Sequence, residues 1–247
     1  LGKDTIIPRN ANKRMYKLAP IISLVSICII PLFIPIANRS FFSGTADIVV
    51  ILYLLVIPSV ALIIAGMTSG SPFASIGVSR EVVTMVAYEL PLIITLISVC
   101  KKAGLLLGDG ITYSLSNIAL AQQQSNSFLF TWTFIPAAIA FLMIIPAKVG
   151  SAPFDVAEAE TEVCEGPLVE YSGTSLGIFK LTHNVKIYVM VALFIALFLG
   201  KAGISTGTVW VDLLLNLLLL IIMTIVISIL FISIVRGLTG RSKTHQM

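Results

Sequence analysis

Long uninterrupted apolar runs alternate with short polar segments along the whole chain. Six runs are long enough to cross a hydrocarbon core of about 30 Å as α-helices, which rise about 1.5 Å per residue. They are predicted near 18–37, 47–67, 82–100, 128–147, 175–199 and 209–235. Several contain proline, which membrane helices tolerate when neighbouring groups satisfy the freed carbonyls. The pattern therefore predicts an all-α polytopic membrane protein, a bundle of tilted, Pro-kinked transmembrane helices.

Composition agrees with this pattern. Hydrophobic residues make up 57% of the chain and charged residues 11%, and the mean hydropathy is +1.02. These values exclude an ordinary soluble domain, and a membrane β-barrel would instead show segments of about ten alternating residues. Cys28, Cys100 and Cys164 are far apart and form no CxxC pair. The sequence thus supports neither a disulfide framework nor an iron–sulfur or zinc site.

Basic residues fall unevenly on the two sides of this predicted topology. One side carries Lys3, Arg9, Lys13, Arg14, Lys17, Arg80, Lys148, Lys180, Lys186, Arg236, Arg241 and Lys243. The other carries Arg39, Lys101, Lys102 and Lys201. Because basic loops stay inside, the first side is predicted to be cytoplasmic. The prediction is one transmembrane domain over residues 1–247, with cytoplasmic loops 1–17, 68–81 and 148–174 and an outward loop 101–127.

The most unusual segment is 148–173, KVGSAPFDVAEAETEVCEGPLVEYSG, which gathers half of the twelve carboxylates of the chain. These are Asp155, Glu158, Glu160, Glu162, Glu165 and Glu170. Acids at a membrane are costly and are functional candidates by default. If the segment is helical, Asp155, Glu158 and Glu162 share one face, and crowded like charges favour protonation of some members, as a proton relay requires. A solvated surface loop, or a docking site for basic side chains, is the alternative.

Glu89 is the second candidate, because it lies within the third apolar run beside Pro91. A glutamate there is expected to face the bundle interior or water and to serve a proton or cation path. A structural glutamate in a salt bridge at the proline kink is the alternative. Arg80 and Glu81 come just before this run, at its predicted cytoplasmic edge.

A polar set opens the next span after the acidic segment. Lys180, His183 and Asn184 are spaced to share one side of a helix, and Lys186 follows. His183 is a candidate relay group because histidine can titrate near neutral pH, although a lone histidine is often only structural. Asp212 beside Trp210 is interpreted as an interfacial anchor.

Three segments together resemble a known family. KDTIIPRNANKRMYKLAPIISL, SGSPFASIGVSREVVTMVAYELP and PFDVAEAETEVCEGPLVEYSG occur between residues 3 and 173. Their order and spacing resemble the NADH dehydrogenase subunit 1 family, a membrane component of respiratory complex I, and its relatives in energy-converting group 4 [NiFe] hydrogenases. SGSPFASIGVSRE and CEGPLVEYSG are similar to the hydrogenase branch. His183 stands where complex I relatives tend to have a glutamate. The family normally has eight spans, so the chain is expected to lack the first and the last.

The resemblance implies a non-catalytic membrane anchor and coupling subunit of a ferredoxin-linked hydrogenase complex. Its implied partners are the small and large hydrogenase-like subunits of a peripheral arm, antiporter-like membrane subunits and membrane lipid, with ferredoxin as electron donor and no nucleic acid. No cofactor is expected in this chain, and the [NiFe] centre and iron–sulfur clusters are expected in other subunits. Glu89 and the six loop acids would form an acidic path towards proton or sodium translocation, with Arg80 beside it. Alternatives are the quinone-site subunit of a complex I-type enzyme, a sulfur-reducing relative or, less in keeping with the missing repeats, a secondary transporter.

Overall fold

The computed structural model describes residues 4–9, 11–35, 47–108, 110–157, 164–200, 209–233, 235 and 237. Seven α-helices form in this part of the chain. They are α1 (Lys13–Ile29), α2 (Asp47–Ser69), α3 (Pro72–Leu107), α4 (Leu115–Gln124), α5 (Ile135–Val149), α6 (Gly173–Phe198) and α7 (Val209–Ser228). No strand occurs among the described residues, so the predicted all-α class is confirmed.

Six helical segments of the described chain are long and apolar enough to cross a membrane. They are Lys13–Leu32, Asp47–Ser69, Pro72–Leu107, Trp132–Val149, Gly173–Phe198 and Trp210–Phe231. Large apolar side chains remain exposed on their outer faces, as Leu90 and Ile94 do on α3, and this suits a hydrocarbon solvent. The six predicted spans are therefore confirmed, and their boundaries differ from the prediction mainly at α1 and α3.

The predicted loop 68–81 is wrong for most of its length, because α3 begins at Pro72. Proline favours the first position of a helix, where its fixed φ suits the helix and its missing N–H is not needed. Gly70, with φ of 73°, ends the turn from α2. Arg80 and Glu81 consequently lie on a helix. The predicted loop 1–17 is also too long, because Asn12 caps α1 by accepting a hydrogen bond from the Arg14 amide at 3.2 Å.

Helix α6 occupies the middle of the bundle. Every residue from Val189 to Phe198 is buried, and a helix that is apolar and buried on all sides must have neighbours all round it. It packs against α1, α5 and α7, while α3 packs between α2 and α5. The bundle has two ends, here called the loop end, where α1, α3 and α6 begin and α2 and α5 finish, and the far end, which carries α4.

Helix α4, which lies within the predicted outward loop 101–127, closes the far end through buried polar contacts. Asp47 accepts hydrogen bonds from the Ser114 hydroxyl at 3.4 Å and the Leu115 amide at 3.3 Å, so it caps the first turn of α4. Gln122 is fully buried and donates to the carbonyls of Ala196 and Leu197 at the end of α6, at 3.3 and 2.8 Å. Its oxygen accepts from the Gly200 amide at 2.7 Å.

We expect Gln122→Ala to destabilise the far end by about 1–3 kcal/mol, because buried backbone groups at the end of α6 lose their partners. The measurement is the thermal unfolding midpoint of the assembled protein in detergent. Gln123→Ala is the matched control, since Gln123 is exposed on the same helix and should leave the midpoint unchanged. Equal midpoints for the two variants would show that the Gln122 contacts contribute nothing to stability.

Candidate functional site

A cavity of about 560 Å³ lies at the loop end, among α1, α2, α3, α5 and α6. Ionisable residues from four parts of the chain line it, together with Asn184. These are Glu81 of α3, Lys148 of α5, Asp155 and Glu165 of the segment after α5, and Lys180, His183, Asn184 and Lys186 of α6. The cavity therefore brings together groups that are far apart in the sequence.

Lys148 forms a buried ion pair behind this cavity. Its ammonium contacts the Glu89 carboxylate, and its side chain is fully buried while that of Glu89 is 14% exposed. The ammonium also lies 4.7 Å from the centre of the Tyr88 ring, a cation–π arrangement that further stabilises the buried charge. Burying two charges is costly unless their geometry is good. The structure thus gives Glu89 the interior position that the sequence predicts.

Hydroxyl groups connect this pair to Glu81. The Tyr88 hydroxyl and the Ser59 hydroxyl are 3.0 Å apart across α2 and α3, and the Ser59 side chain also lies close to the Glu81 carboxylate. Glu81 and Glu89 are eight residues apart on α3, which corresponds to about 12 Å along the helix axis. Ser59 and Tyr88 lie along that interval.

Lys186 completes a group of four charges. It interacts electrostatically with Glu81 and with Lys148, and it is only 8% exposed. We call Glu81, Glu89, Lys148 and Lys186 the charged cluster. Two carboxylates and two ammonium groups balance formally, which explains how four ionisable groups can lie together inside an apolar bundle.

The structure places some of the six predicted loop acids at the cavity and others elsewhere or outside the described residues. Asp155 and Glu165 line the cavity, whereas Glu158, Glu160 and Glu162 lie outside the described residues. Asp155 lies in a non-helical stretch that follows the turn made by Ser151 to Phe154, and the helical face that it was predicted to share with Glu158 and Glu162 depends on residues outside the described ones. Glu170 is not among the described lining residues, and its backbone carbonyl accepts from the Tyr16 hydroxyl at 2.9 Å.

The remaining predicted site residues lie around the same cavity. Arg80 donates to the Val156 carbonyl at 3.4 Å, so it holds the segment after α5 against α3. His183 lines the cavity beside Lys180, as their helical spacing predicts. Lys148, which the sequence places at the start of the loop 148–174, is instead buried near the end of α5, whereas Lys186 lies on α6 as its predicted span implies.

Three glycines anchor the end of the acidic segment. The 3₁₀ turn Gly166–Leu168 packs into the crevice between α2 and α3. A Cβ on Gly77 would lie 2.7 Å from the Gly166 Cα, and a Cβ on Gly66 would lie 3.1 Å from the Pro167 Cβ. Only glycines allow this close approach. The turn places Glu165, whose φ is +69°, at the cavity.

An aromatic cluster joins α1 to the beginning of α6. The rings of Tyr16 and Tyr171 are stacked at 4.1 Å, and Phe179 meets Tyr171 edge-on at 5.2 Å. Burial raises the pKa of the Tyr171 hydroxyl above its ordinary value, so this group keeps its proton at neutral pH. The Ile6 amide donates to the Ser172 hydroxyl at 3.0 Å, so the segment before α1 is also attached next to this aromatic cluster.

Sequence reasoning missed the roles of Lys148, Ser59 and Tyr88 and gave Glu81 none. The available signals were weak, since a lysine at the end of an apolar run resembles a membrane anchor and Tyr88 adjoins Glu89 without any motif. Within the described residues, no group of three or more His, Cys, Asp or Glu side chains could hold a metal ion. The site is therefore a set of charges and hydroxyls around a cavity, suited to moving protons between carboxylates.

Comparisons with known proteins agree with this architecture and confirm the family resemblance. The NADH dehydrogenase family model matches residues 1–247. Hydrogenase-4 component C of Escherichia coli (strain K12) is 34% identical over 76% of this chain and 58% of that protein. NADH-ubiquinone oxidoreductase chain 1 of Chondrus crispus is 35% identical over 80% of this chain and 58% of that protein. The chain thus spans less than two thirds of the length of these curated relatives.

A solved structure is similar over almost the whole chain. It is that of the membrane-bound sulfane sulfur reductase, an archaeal respiratory membrane complex. The TM-score is 0.84, with 26% identity over 99% of this chain and 76% of the matched chain. The bundle described above is therefore an arrangement that a membrane respiratory complex also contains.

Proposed function

The chain belongs to the NADH dehydrogenase family, and from this premise we propose that it is the membrane anchor and coupling subunit of an ion-translocating oxidoreductase complex. The observation that carries the proposal is the charged cluster, three of whose four members line a cavity at the loop end of a membrane bundle. Intramembrane ionisable residues are expensive to bury and mark ion or proton paths. A purely structural bundle needs no such group.

The proposed path begins in the cavity and leads inward. Asp155 and Glu165 stand at the cavity wall with Glu81 and His183, and Glu89 lies deeper, in contact with Lys148. Glu158, Glu160, Glu162 and Glu170 remain predicted members of the path, with Arg80 as the residue that positions its outer segment. The side chains of this subunit would gain and release protons in response to redox chemistry in neighbouring subunits.

The complex we propose is a ferredoxin-linked, membrane-bound [NiFe] hydrogenase. Support comes from the similarity to Hydrogenase-4 component C and from the segments that resemble the hydrogenase branch. The [NiFe] centre and iron–sulfur clusters would reside in the small and large subunits of a peripheral arm, which would dock at the loop end, on the cytoplasmic side. Antiporter-like membrane subunits would receive the coupling signal and move protons or sodium ions.

A second candidate is the equivalent subunit of a sulfur-reducing complex. The match to the membrane-bound sulfane sulfur reductase, which covers 99% of this chain, supports it. The bundle and the charged cluster serve both candidates equally, since the terminal acceptor would be reduced outside this chain. The coupling role is common to the two proposals.

The test uses inverted membrane vesicles that contain the whole complex, supplied with reduced ferredoxin. Hydrogen evolution and ion uptake are recorded together, for the native protein and for Glu89→Gln. We expect native vesicles to produce hydrogen with uptake that an ionophore abolishes. Glu89→Gln should lose the uptake while the complex stays assembled, because the amide can accept a hydrogen bond from Lys148 but cannot carry a proton.

Asp4→Asn is the control, since Asp4 is exposed and its substitution should leave hydrogen evolution and uptake unchanged. Full coupled uptake in Glu89→Gln would refute the role of this carboxylate. Sulfide production from sulfane sulfur in place of hydrogen would select the second candidate. Oxidation that requires added quinone would move the chain to the complex I-type alternative.

A further inference from the structure

We propose that Lys148 is a positioning residue that controls proton access to Glu89, its ammonium moving between the Glu89 carboxylate and the cavity. The inference rests on the proposed function, in which Glu89 carries a proton. The proposed path consists of carboxylates, and Lys148 would be a mobile counter-ion within it.

Lys148 lies next to both the cavity and Glu89. Among the described residues that line the cavity are Lys148, Lys186 and Glu81, but not Glu89. Lys148 lines the cavity and also makes a direct ion pair with Glu89. Lys148 therefore connects the cavity wall with the ion pair of Glu89.

Lys148 has a second carboxylate partner besides Glu89. Lys148 interacts electrostatically with Glu81 as well as with Glu89, and Glu81 stands at the cavity wall. The lysine stem has four flexible carbons, and its ammonium donates in three directions. The Tyr88 ring, 4.7 Å from the ammonium, offers a favourable surface along which the cation can turn. The surroundings therefore favour two arrangements of one ammonium group.

The charges determine what each arrangement does. With Lys148 against Glu89, the charged cluster holds two ammonium groups and two carboxylates, and the ammonium stabilises the ionised form of Glu89. When the ammonium turns to the cavity, Glu89 loses that stabilisation. One proton then passes from a hydronium ion in the cavity to Glu89, so that one O–H bond breaks as another forms. Lys148 keeps its three N–H bonds, and its return to Glu89 displaces the proton to a water molecule, so that the O–H bond of Glu89 breaks as an O–H bond of hydronium forms.

The location of Lys186 adds direction to this exchange. Lys186 interacts with both Glu81 and Lys148, and two nearby ammonium groups repel each other. While Lys186 stays with Glu81, repulsion holds Lys148 on Glu89. Protonation or movement at the Glu81 side changes that balance, so a charge that appears in the cavity can be transmitted to Glu89.

Two substitutions test the exchange, Lys148→Met and Lys148→Arg, each in the whole complex reconstituted in vesicles. The readouts are ion uptake per electron and two infrared spectra, one of the resting and one of the turning-over enzyme, each with the corresponding spectrum of Glu89→Gln subtracted. The carboxylic acid C=O band of Glu89 is identified by its loss in Glu89→Gln. We expect the native complex to show this band only during turnover.

Lys148→Met removes the counter-ion, so the Glu89 band should persist at rest and uptake should be lost while electron transfer continues. Lys148→Arg keeps the charge, but the guanidinium can bind a carboxylate through two parallel hydrogen bonds and release it less readily. Its Glu89 band should stay absent during turnover, again with loss of uptake. The two variants therefore have opposite infrared signatures.

A structural ion pair would give a different result, because arginine would satisfy it and coupling would remain normal. Native uptake and a native turnover band in Lys148→Arg would overturn the inference, and this variant decides the case if Lys148→Met fails to assemble. Uptake that survives Glu89→Gln would refute the proposed function. Uptake lost in Glu89→Gln but native in both Lys148 variants would refute only the inference.

Discussion

Replacing Gly166 with alanine should release the end of the acidic segment from the crevice between α2 and α3. A Cβ at this position would lie 2.0 Å from the Ala157 carbonyl oxygen, and the residue has a φ of +53°. The clash is with backbone, which cannot rotate away as a side chain can. Overpacking costs about 1–3 kcal/mol, and the left-handed conformation adds roughly 1–2 kcal/mol for a non-glycine residue.

Under the proposed function, the expected consequence is a complex that either fails to retain the proposed peripheral arm or turns over without ion uptake. The reason is that the turn at Gly166 places Glu165 at the cavity. The measurements are the subunit content of the complex purified in detergent and the ion uptake of vesicles. Gly177→Ala is the matched control, because a Cβ at Gly177 meets nothing within 4 Å.

If the Gly166→Ala complex had the subunit content and ion uptake of the wild type, the turn could move away from α3 without consequence. Gly77→Ala tests the same anchor from the other side, since its Cβ would lie 2.7 Å from the Gly166 Cα. Loss of uptake in both variants, with native behaviour in Gly177→Ala, would assign the effect to the packing of the turn rather than to glycine content.

Hydropathy predicted the bundle because each helix that crosses the hydrocarbon core needs a continuous run of apolar residues. Such a run can be recognised from consecutive residues alone. Hydropathy failed where a helix continues outside the apolar layer. Residues 71–81 include Ser71, Ser75, Gly77 and Ser79 and resemble a loop. Pro72 at the start of α3 was the available signal, because it is a favoured first helical residue.

Glu89 was predictable from the sequence, but its partner was not. A carboxylate in an apolar run is conspicuous, so Glu89 was identified from its surroundings in the sequence alone. Lys148 at the end of α5 looks like any lysine at a membrane boundary. Its role depends on a contact across 59 sequence positions, which neither periodicity nor spacing reports. The same is true of Ser59 and Tyr88, whose hydroxyls meet across α2 and α3.

Replacing Glu89 with leucine should strongly destabilise the protein, by about 3–5 kcal/mol. Removal of one member of a buried ion pair leaves an uncompensated charge, and the Lys148 side chain is fully buried. The expected result is a lower unfolding midpoint of the assembled complex and less subunit recovered from membranes. Glu89→Gln should cost less, because its amide oxygen still accepts a hydrogen bond from the ammonium.

The double variant Glu89→Leu/Lys148→Leu separates charge from packing. Replacing a whole buried pair by apolar residues is often neutral or stabilising, so the double variant should recover most of the lost stability. It should not recover ion uptake, since neither a proton-carrying group nor its counter-ion remains.

A single Glu89→Leu variant as stable as the native complex would mean that Lys148 has found another partner. Glu81 is the candidate partner, because it already interacts electrostatically with Lys148. A loss of stability in Glu89→Leu/Glu81→Gln that exceeds the sum of the two single losses would show that both acids compete for one ammonium, as a mobile counter-ion requires.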